Sequence, residues 1–297
     1  MDWIKVADYL EQLASQQTDE PLDAGQRASV AQLASRIRSG KRAALLADEV
    51  GMGKTRIAVA LISSVRKAGG RAAIVLPAGL GVQWQKELRL FHPDDQTLLP
   101  LRSYDGFIAG FLTEEDAEGN EKHKRKHKDW LRNRRQQREL PQKGWADEEV
   151  LMISHTFAAM RFPNASNGPA AGWRRELLPN VARLLAGQRR NFMRNNFRRG
   201  EVGQVHATRR AAQMIADAII EHGLCRSVLD DLSGDHRWLA ADEYKRKILP
   251  LIGYGLGKFD LIVVDEAHKA RGEDSSLSRI LGPVSWEADD PFRFGMT

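Results

Sequence analysis

Four short apolar runs, Ala43–Leu46, Ala72–Leu76, Val150–Ile153 and Leu261–Val264, constrain this chain more than anything else in it. They are too short for helices, and their successive apolar side chains suit strands buried on both faces of a parallel sheet. Between the first two, Thr55–Lys67 places Ile57, Ala60, Leu61 and Val65 on one helical face. That stretch reads as a βαβ unit with a right-handed crossover. Upstream, Ile4, Ala7, Leu10 and Leu13 predict an amphipathic helix within residues 1–17, and a second helix is expected from about Ala24 to Ser39. The expectation is an α/β fold with a mainly parallel sheet. Residues 1–22 form an N-terminal helical extension and 23–297 a single lobe.

Two stretches stand outside this alternation and read as helical, basic insertions, at about 104–145 and 158–255. The first opens with Glu114-Glu115-Asp116 and turns basic, with nine Lys/Arg against one acid from Lys122 to Arg138. The second has ten Arg, no Lys and two acids from Trp173 to Arg210. Within it, Val181, Leu184, Leu185 and Phe192 share one helical face, as do Ala211, Met214, Ile215, Ala218 and Ile219. Clustered cations matter more than the net charge of +6, and they point to an anionic partner. Lys122, Lys124, Arg125, Lys126, Arg189 and Arg190 are the candidate phosphate contacts. Trp130, Phe192 and Phe197 are interleaved for stacking. A solvated helix face or a protein-binding surface is the competing reading of each run.

Composition narrows the classes further. No run of about 18 apolar residues offers a membrane span, and Met1–Lys5 lacks the character of a signal peptide. One cysteine, Cys225, excludes an intramolecular disulfide and a cysteine-rich zinc site. These features suit a cytoplasmic protein. His123 and His127 sit at i, i+4, but the surrounding lysines repel a cation. Gly253-Tyr254-Gly255-Leu256-Gly257-Lys258 precedes a strand rather than following one, so it reads as a flexible connector and not a phosphate loop.

The chemistry lies in two motifs. Ala47-Asp48-Glu49-Val50-Gly51-Met52-Gly53-Lys54-Thr55 joins a strand to a helix, and Gly53-Lys54-Thr55 completes a phosphate-loop pattern in which Asp48 replaces the first glycine. Glycines let backbone N–H groups wrap phosphate oxygens, while the helix that follows aims its positive end at them. Lys54 then reaches the β- and γ-phosphates and the Thr55 hydroxyl ligates Mg²⁺. Arg56 is expected to run along the helix, away from the loop. The second motif is the strand Phe259–Val264 followed by Asp265-Glu266-Ala267-His268. Its two carboxylates fall at the carboxyl edge of the sheet, where open α/β folds bind ligands. Asp265 suits the Mg²⁺ and Glu266 the attacking water.

Together these motifs resemble motifs I and II of superfamily 2 helicases, in the form typical of the Swi/Snf-like branch and its bacterial members. Leu76–Leu88, with Gln83-Trp84-Gln85, resembles that branch's motif Ia, which implies that Trp84 lies at the nucleic-acid backbone. Met152–Thr156 resembles the next strand that approaches nucleic acid. Gln26 stands where the family places an adenine-contacting glutamine, and His268 where it links the nucleotide and nucleic-acid sites. Arg293–Thr297 resembles the strand leading into motif III, so the sequence is expected to be a fragment lacking a second lobe and its arginine fingers. The resemblance covers roughly 23–103, 146–157 and 256–297.

It implies a RecA-like P-loop NTPase lobe with ATP and Mg²⁺ as ligands and duplex DNA as partner. ATP would touch Gln26, Asp48, Glu49, Val50, Gly51, Met52, Gly53, Lys54 and Thr55. The activity implied is a DNA-dependent ATPase that translocates rather than separates strands, with further subunits as partners and a role in genome defence by analogy. Two rivals stay open: a nucleotide-gated binding module that does not turn over, and the motor of a restriction system.

Overall fold

The computed structural model describes residues 1–16, 21–47, 52–117, 119–159, 172–187, 202–222, 241–270, 280–281 and 291–297. Among the described residues five strands are formed: β1 (Ala43–Leu46), β2 (Ala72–Leu76), β3 (Val150–Ser154), β4 (Leu261–Val264) and β5 (Phe292–Met296). They make one sheet in the order β1-β5-β4-β2-β3, and every neighbouring pair is parallel. The expected α/β class and parallel sheet are therefore present. One register row crosses the whole sheet: Leu45, Gly295, Val264, Val75 and Ile153. The residues just past this row, including Asp265, define its carboxyl edge.

The helices are α1 (Trp3–Ala14), α2 (Ala24–Arg38), α3 (Lys54–Lys67), α4 (Gly81–Phe91), α5 (Tyr104–Ala109), α6 (Glu121–Gln136), α7 (His155–Ala159), α8 (Gly172–Leu185), α9 (Val202–His222) and α10 (Ala241–Leu256). Side chains alternate across the strands, which gives the sheet two separate cores. Ala72, Ile74, Leu76, Met152, Val263 and Phe294 face one side, where α1, α2, α3 and α4 pack. Ala73, Val75, Leu151, Ile153 and Ile262 face the other, against α5, α8, α9 and α10.

Three sequence expectations change here. The helical extension is part of the first layer, because α1 packs on both α2 and α3 and Trp3 meets Phe292 with ring centroids 5.5 Å apart. The buried stripe of α1 is Trp3, Val6, Ala7 and Leu10, while Ile4 is exposed. The stretches read as insertions are not appended to a finished core: Tyr104, Phe107, Trp145, Trp173, Leu177, Ile215 and Ile219 build the second one. Of the two, α6 alone stays peripheral, burying only Leu131. Nor is Gly253–Leu256 a flexible connector, since it forms the last turn of α10. A Cβ at Gly253 would lie 1.8 Å from the Ile280 carbonyl oxygen, so glycine is what permits that close approach.

At the opposite, amino edge of the sheet, Arg71 gathers the chain. Its guanidinium donates to the carbonyls of Glu148 (3.0 Å), Lys258 (2.7 Å), Trp145 (3.1 Å) and Leu256 (3.1 Å), and it stacks on Phe259 with 4.6 Å to the ring centroid. Its own N–H donates to Asp260 Oδ2 at 3.0 Å. The starts of β2, β3 and β4 are thereby fixed to one cation.

Candidate nucleotide site

The first wall of the site is the start of α3. Gly53 takes a left-handed conformation (φ 72°), and a Cβ there would sit 2.1 Å from Gln26 Nε2. Both facts require glycine. No side chain caps α3, and its first turn holds Lys54 and Arg56 with no acid. Asp48–Gly51 lie outside the described residues, and Met52 is exposed.

Gln26, the expected adenine contact, forms the second wall. Its Oε1 accepts the Asp23 backbone N–H at 3.1 Å, while its own N–H donates to Asp23 Oδ1 at 2.8 Å. This reciprocal pair caps α2. The amide oxygen is thus committed, and the side chain, 5% exposed, sets its Nε2 against Gly53.

The third wall comes from the end of β4. The Asp265 N–H donates to the Val75 carbonyl at 2.8 Å, continuing the sheet for one more residue. The chain then turns through Glu266, whose φ of 55° is rare for a side chain of that size. Asp265 Oδ1 accepts the Glu266 N–H at 3.0 Å, and Oδ2 accepts the indole N–H of Trp84 at 3.2 Å. Burial raises the pKa of Asp265 above 3.8; the neighbouring Glu266 charge adds to this, while Trp84, the Glu266 N–H and His155 oppose it. His268 Nδ1 is 3.4 Å from Glu266 Oε2 and 3.4 Å from Thr297 Oγ1, at the end of β5.

These walls enclose a cleft of about 650 Å³ at the carboxyl edge of the sheet, within the usual size for a small-molecule site. Gln26, Gly53, Lys54, Thr55, Asp265, Glu266, His268 and Thr297 all line it. So does Arg56, contrary to expectation: its Nε donates to Glu87 Oε2 at 3.2 Å across the α3–α4 interface, which brings it into the cleft. Among the described residues no group of three or more His, Cys, Asp or Glu could hold a metal. Of the oxygen donors that line it, the Thr55 hydroxyl and the adjacent Asp265 and Glu266 carboxylates fit a hard cation that brings most of its own oxygen ligands, as Mg²⁺ does with phosphates and water.

Trp84 is not at a nucleic-acid surface. It is 1% exposed, because α4 buries the stripe Gly81, Trp84, Gln85 and Leu88 against the sheet and α3. That i, i+3, i+4, i+7 spacing was the available signal. His155, in the strand expected to approach nucleic acid, instead donates from Nε2 to the Asp265 carbonyl at 2.8 Å. A carbonyl only accepts, so Nε2 carries the proton.

Away from the cleft, Lys122, Lys124, Arg125 and Lys126 are exposed on α6, and the first three line a shallow basic depression with Lys128, Asp129 and Arg132. Trp130, 41% exposed, lies between the His127 ring at 6.1 Å and the Arg134 guanidinium at 5.3 Å. Arg132 is taken by Glu114 in a two-point pair, each contact 3.0 Å. In the arginine-rich second stretch, Arg210 is partly exposed but engaged within the fold, bonded to the Phe111 carbonyl at 2.7 Å and to buried Asp116. Arg189, Arg190, Phe192, Phe197 and Cys225 lie outside the described residues. Among the described residues no helix is long and apolar enough to cross a membrane.

Compared with protein-family models and with curated proteins, the chain matches none.

Proposed function

We propose that the cleft binds ATP with Mg²⁺ and that the chain is the nucleotide-binding lobe of a nucleic-acid-dependent ATPase of the superfamily 2, Swi/Snf-like kind. One observation carries this reading. Segments from Gln26 to Thr297 meet in a single cleft that pairs a cationic, acid-free helix start with two adjacent carboxylates. Such a pairing suits a polyphosphate on one side and its cation on the other. Lys54 and the N–H groups of the first turn of α3 bind the phosphates. Thr55 and Asp265 hold the Mg²⁺, which when bound neutralises phosphate charge. Glu266 orients the attacking water and takes its proton, with His268 beside it to fix the carboxylate. Arg56, steered by Glu87, adds a second cation along the phosphate chain.

The test is an ATP titration with and without Mg²⁺, repeated from neutral pH downward. The proton on Asp265 competes with the cation, and its raised pKa means that competition starts above the ordinary carboxylate value of 3.8. The Mg²⁺-dependent gain in affinity should therefore begin to fade above pH 3.8, while metal-free binding changes less. Absence of ATP binding, or a gain that stays flat with pH until the protein unfolds, would count against the proposal.

We assign nucleic-acid backbone as the partner of α6, since eight Lys and Arg stand on a helix whose burial needs only Leu131. Neutralising Lys122, Lys124, Arg125, Lys126 and Lys128 together should lower affinity for duplex DNA of any sequence. It should also flatten the plot of log affinity against log salt by up to about 0.9 for each phosphate no longer neutralised. An unchanged slope would make α6 a solvated face.

A further inference from the structure

The Asp265–Glu266 turn is held by more than its own strand. Every polar atom of Asp265 has a partner: the N–H on Val75, the carbonyl on His155, Oδ1 on the Glu266 N–H and Oδ2 on Trp84. Those partners come from β2, the start of α7, the turn itself and α4. Immediately after it, Glu266 sits in the left-handed region. A side chain persists there only where its surroundings over-determine the backbone. Two of the four bonds, from Trp84 and His155, are made by side chains that do not line the cleft and would not touch a ligand. The buried indole N–H of Trp84 spends its one donor on the Asp265 carboxylate, and a half-buried histidine at a helix start has water as an alternative to the Asp265 carbonyl.

We propose that Trp84 and His155 are positioning residues that clamp the Asp265–Glu266 turn from opposite sides, so that the carboxylate of Asp265 is preset for the cation accompanying ATP. Trp84 fixes the carboxylate rotamer and leaves the remaining lone pairs for the metal. His155 fixes the peptide that carries the carboxylate and hence the strained step into Glu266. Preorganisation of this kind spares the cation from ordering its own ligand. The inference rests on the ATP reading above and adds to it two residues that bind nothing.

The experiment compares wild type with Trp84→Phe, His155→Ala and His155→Gln, measuring ATP affinity in EDTA and in Mg²⁺. The Trp84→Phe and His155→Ala proteins should bind metal-free ATP like wild type and lose about tenfold of the Mg²⁺-dependent gain, the scale of one charge-assisted hydrogen bond. His155→Gln, whose amide N–H can stand in for Nε2–H, should recover most of the loss. Tryptophan emission should change when Mg²⁺-ATP binds wild type, and Trp84→Phe should reduce that change. A full Mg²⁺ gain in both Trp84→Phe and His155→Ala overturns the clamp. An equal loss in EDTA and in Mg²⁺ overturns it too, since that pattern is general damage to the fold. If Trp84→Phe does not fold, the His155→Ala and His155→Gln pair decides alone. Failure of the ATP reading looks different: wild type itself then binds no ATP, or binds it no better than Lys54→Ala.

Discussion

A Lys54→Ala protein is expected to bind ATP about tenfold or more weakly than wild type. A hydrogen bond to a charged group contributes roughly 1.5–3 kcal/mol, and about 1.4 kcal/mol is a factor of ten in affinity. The presence of Arg56 in the cleft makes this a sharper experiment than the sequence suggested, because a second cation stands two residues away. That cation is already engaged by Glu87, at 3.2 Å, and is held on the α4 side of the cleft. Arg56→Ala should accordingly cost only a few-fold. Calorimetric titration of the three proteins gives the answer: equal affinity for wild type and Lys54→Ala removes Lys54 from the site. A larger loss from Arg56→Ala would shift the main phosphate contact along α3.

The second large effect concerns stability, not binding. Arg71→Ala should lower the unfolding free energy by about 3 kcal/mol or more, a sizeable part of the ~5–15 kcal/mol typical of a domain. The guanidinium serves four carbonyls at once, and its removal takes that donor from each of them. Burial pulls the pKa of Arg71 down to about 10, against the raising influence of Asp260, Asp147 and Glu148, so it stays charged at neutral pH. Arg71→Lys should recover only part of the loss, because one ammonium has three donors and no planar fork. Denaturant unfolding of the three proteins tests this, and a midpoint for Arg71→Ala matching wild type would refute it. Metal-free ATP affinity should not change below the transition, since the amino edge of the sheet is remote from the cleft.

Much of the fold was legible because its signals are local. The apolar runs at 43–46, 72–76 and 261–264 coincide with β1, β2 and β4, and glycine at 53 answers a backbone need visible in the Gly-Lys-Thr pattern. What escaped depends on tertiary partners. Arginine-rich composition made 158–255 look like excess, although the apolar face Ala211, Ile215 and Ile219 covers the sheet. Periodicity marks such a face without saying what it meets. Trp84 and Gln26 carry residue types that suit ligand contact, and only packing revealed that one donates to Asp265 from a buried position and the other caps α2. Arg71 has no motif at all: its acceptors are backbone carbonyls 74 to 187 residues away in sequence.

The single strand between β1 and β4 has a consequence for what the cleft can admit. β5 is laddered to both neighbours, and it extends the ladder to the Thr297 N–H, which donates to the Leu46 carbonyl at 3.2 Å. The strands that lead to Lys54 and to Asp265 therefore stand two inter-strand steps apart, about 10 Å. Peptide hydrogen bonds, rather than any side chain, act as the gauge. Side chains around the rim can change, while the span between the α3 wall and the Asp265 wall of the cleft stays constant.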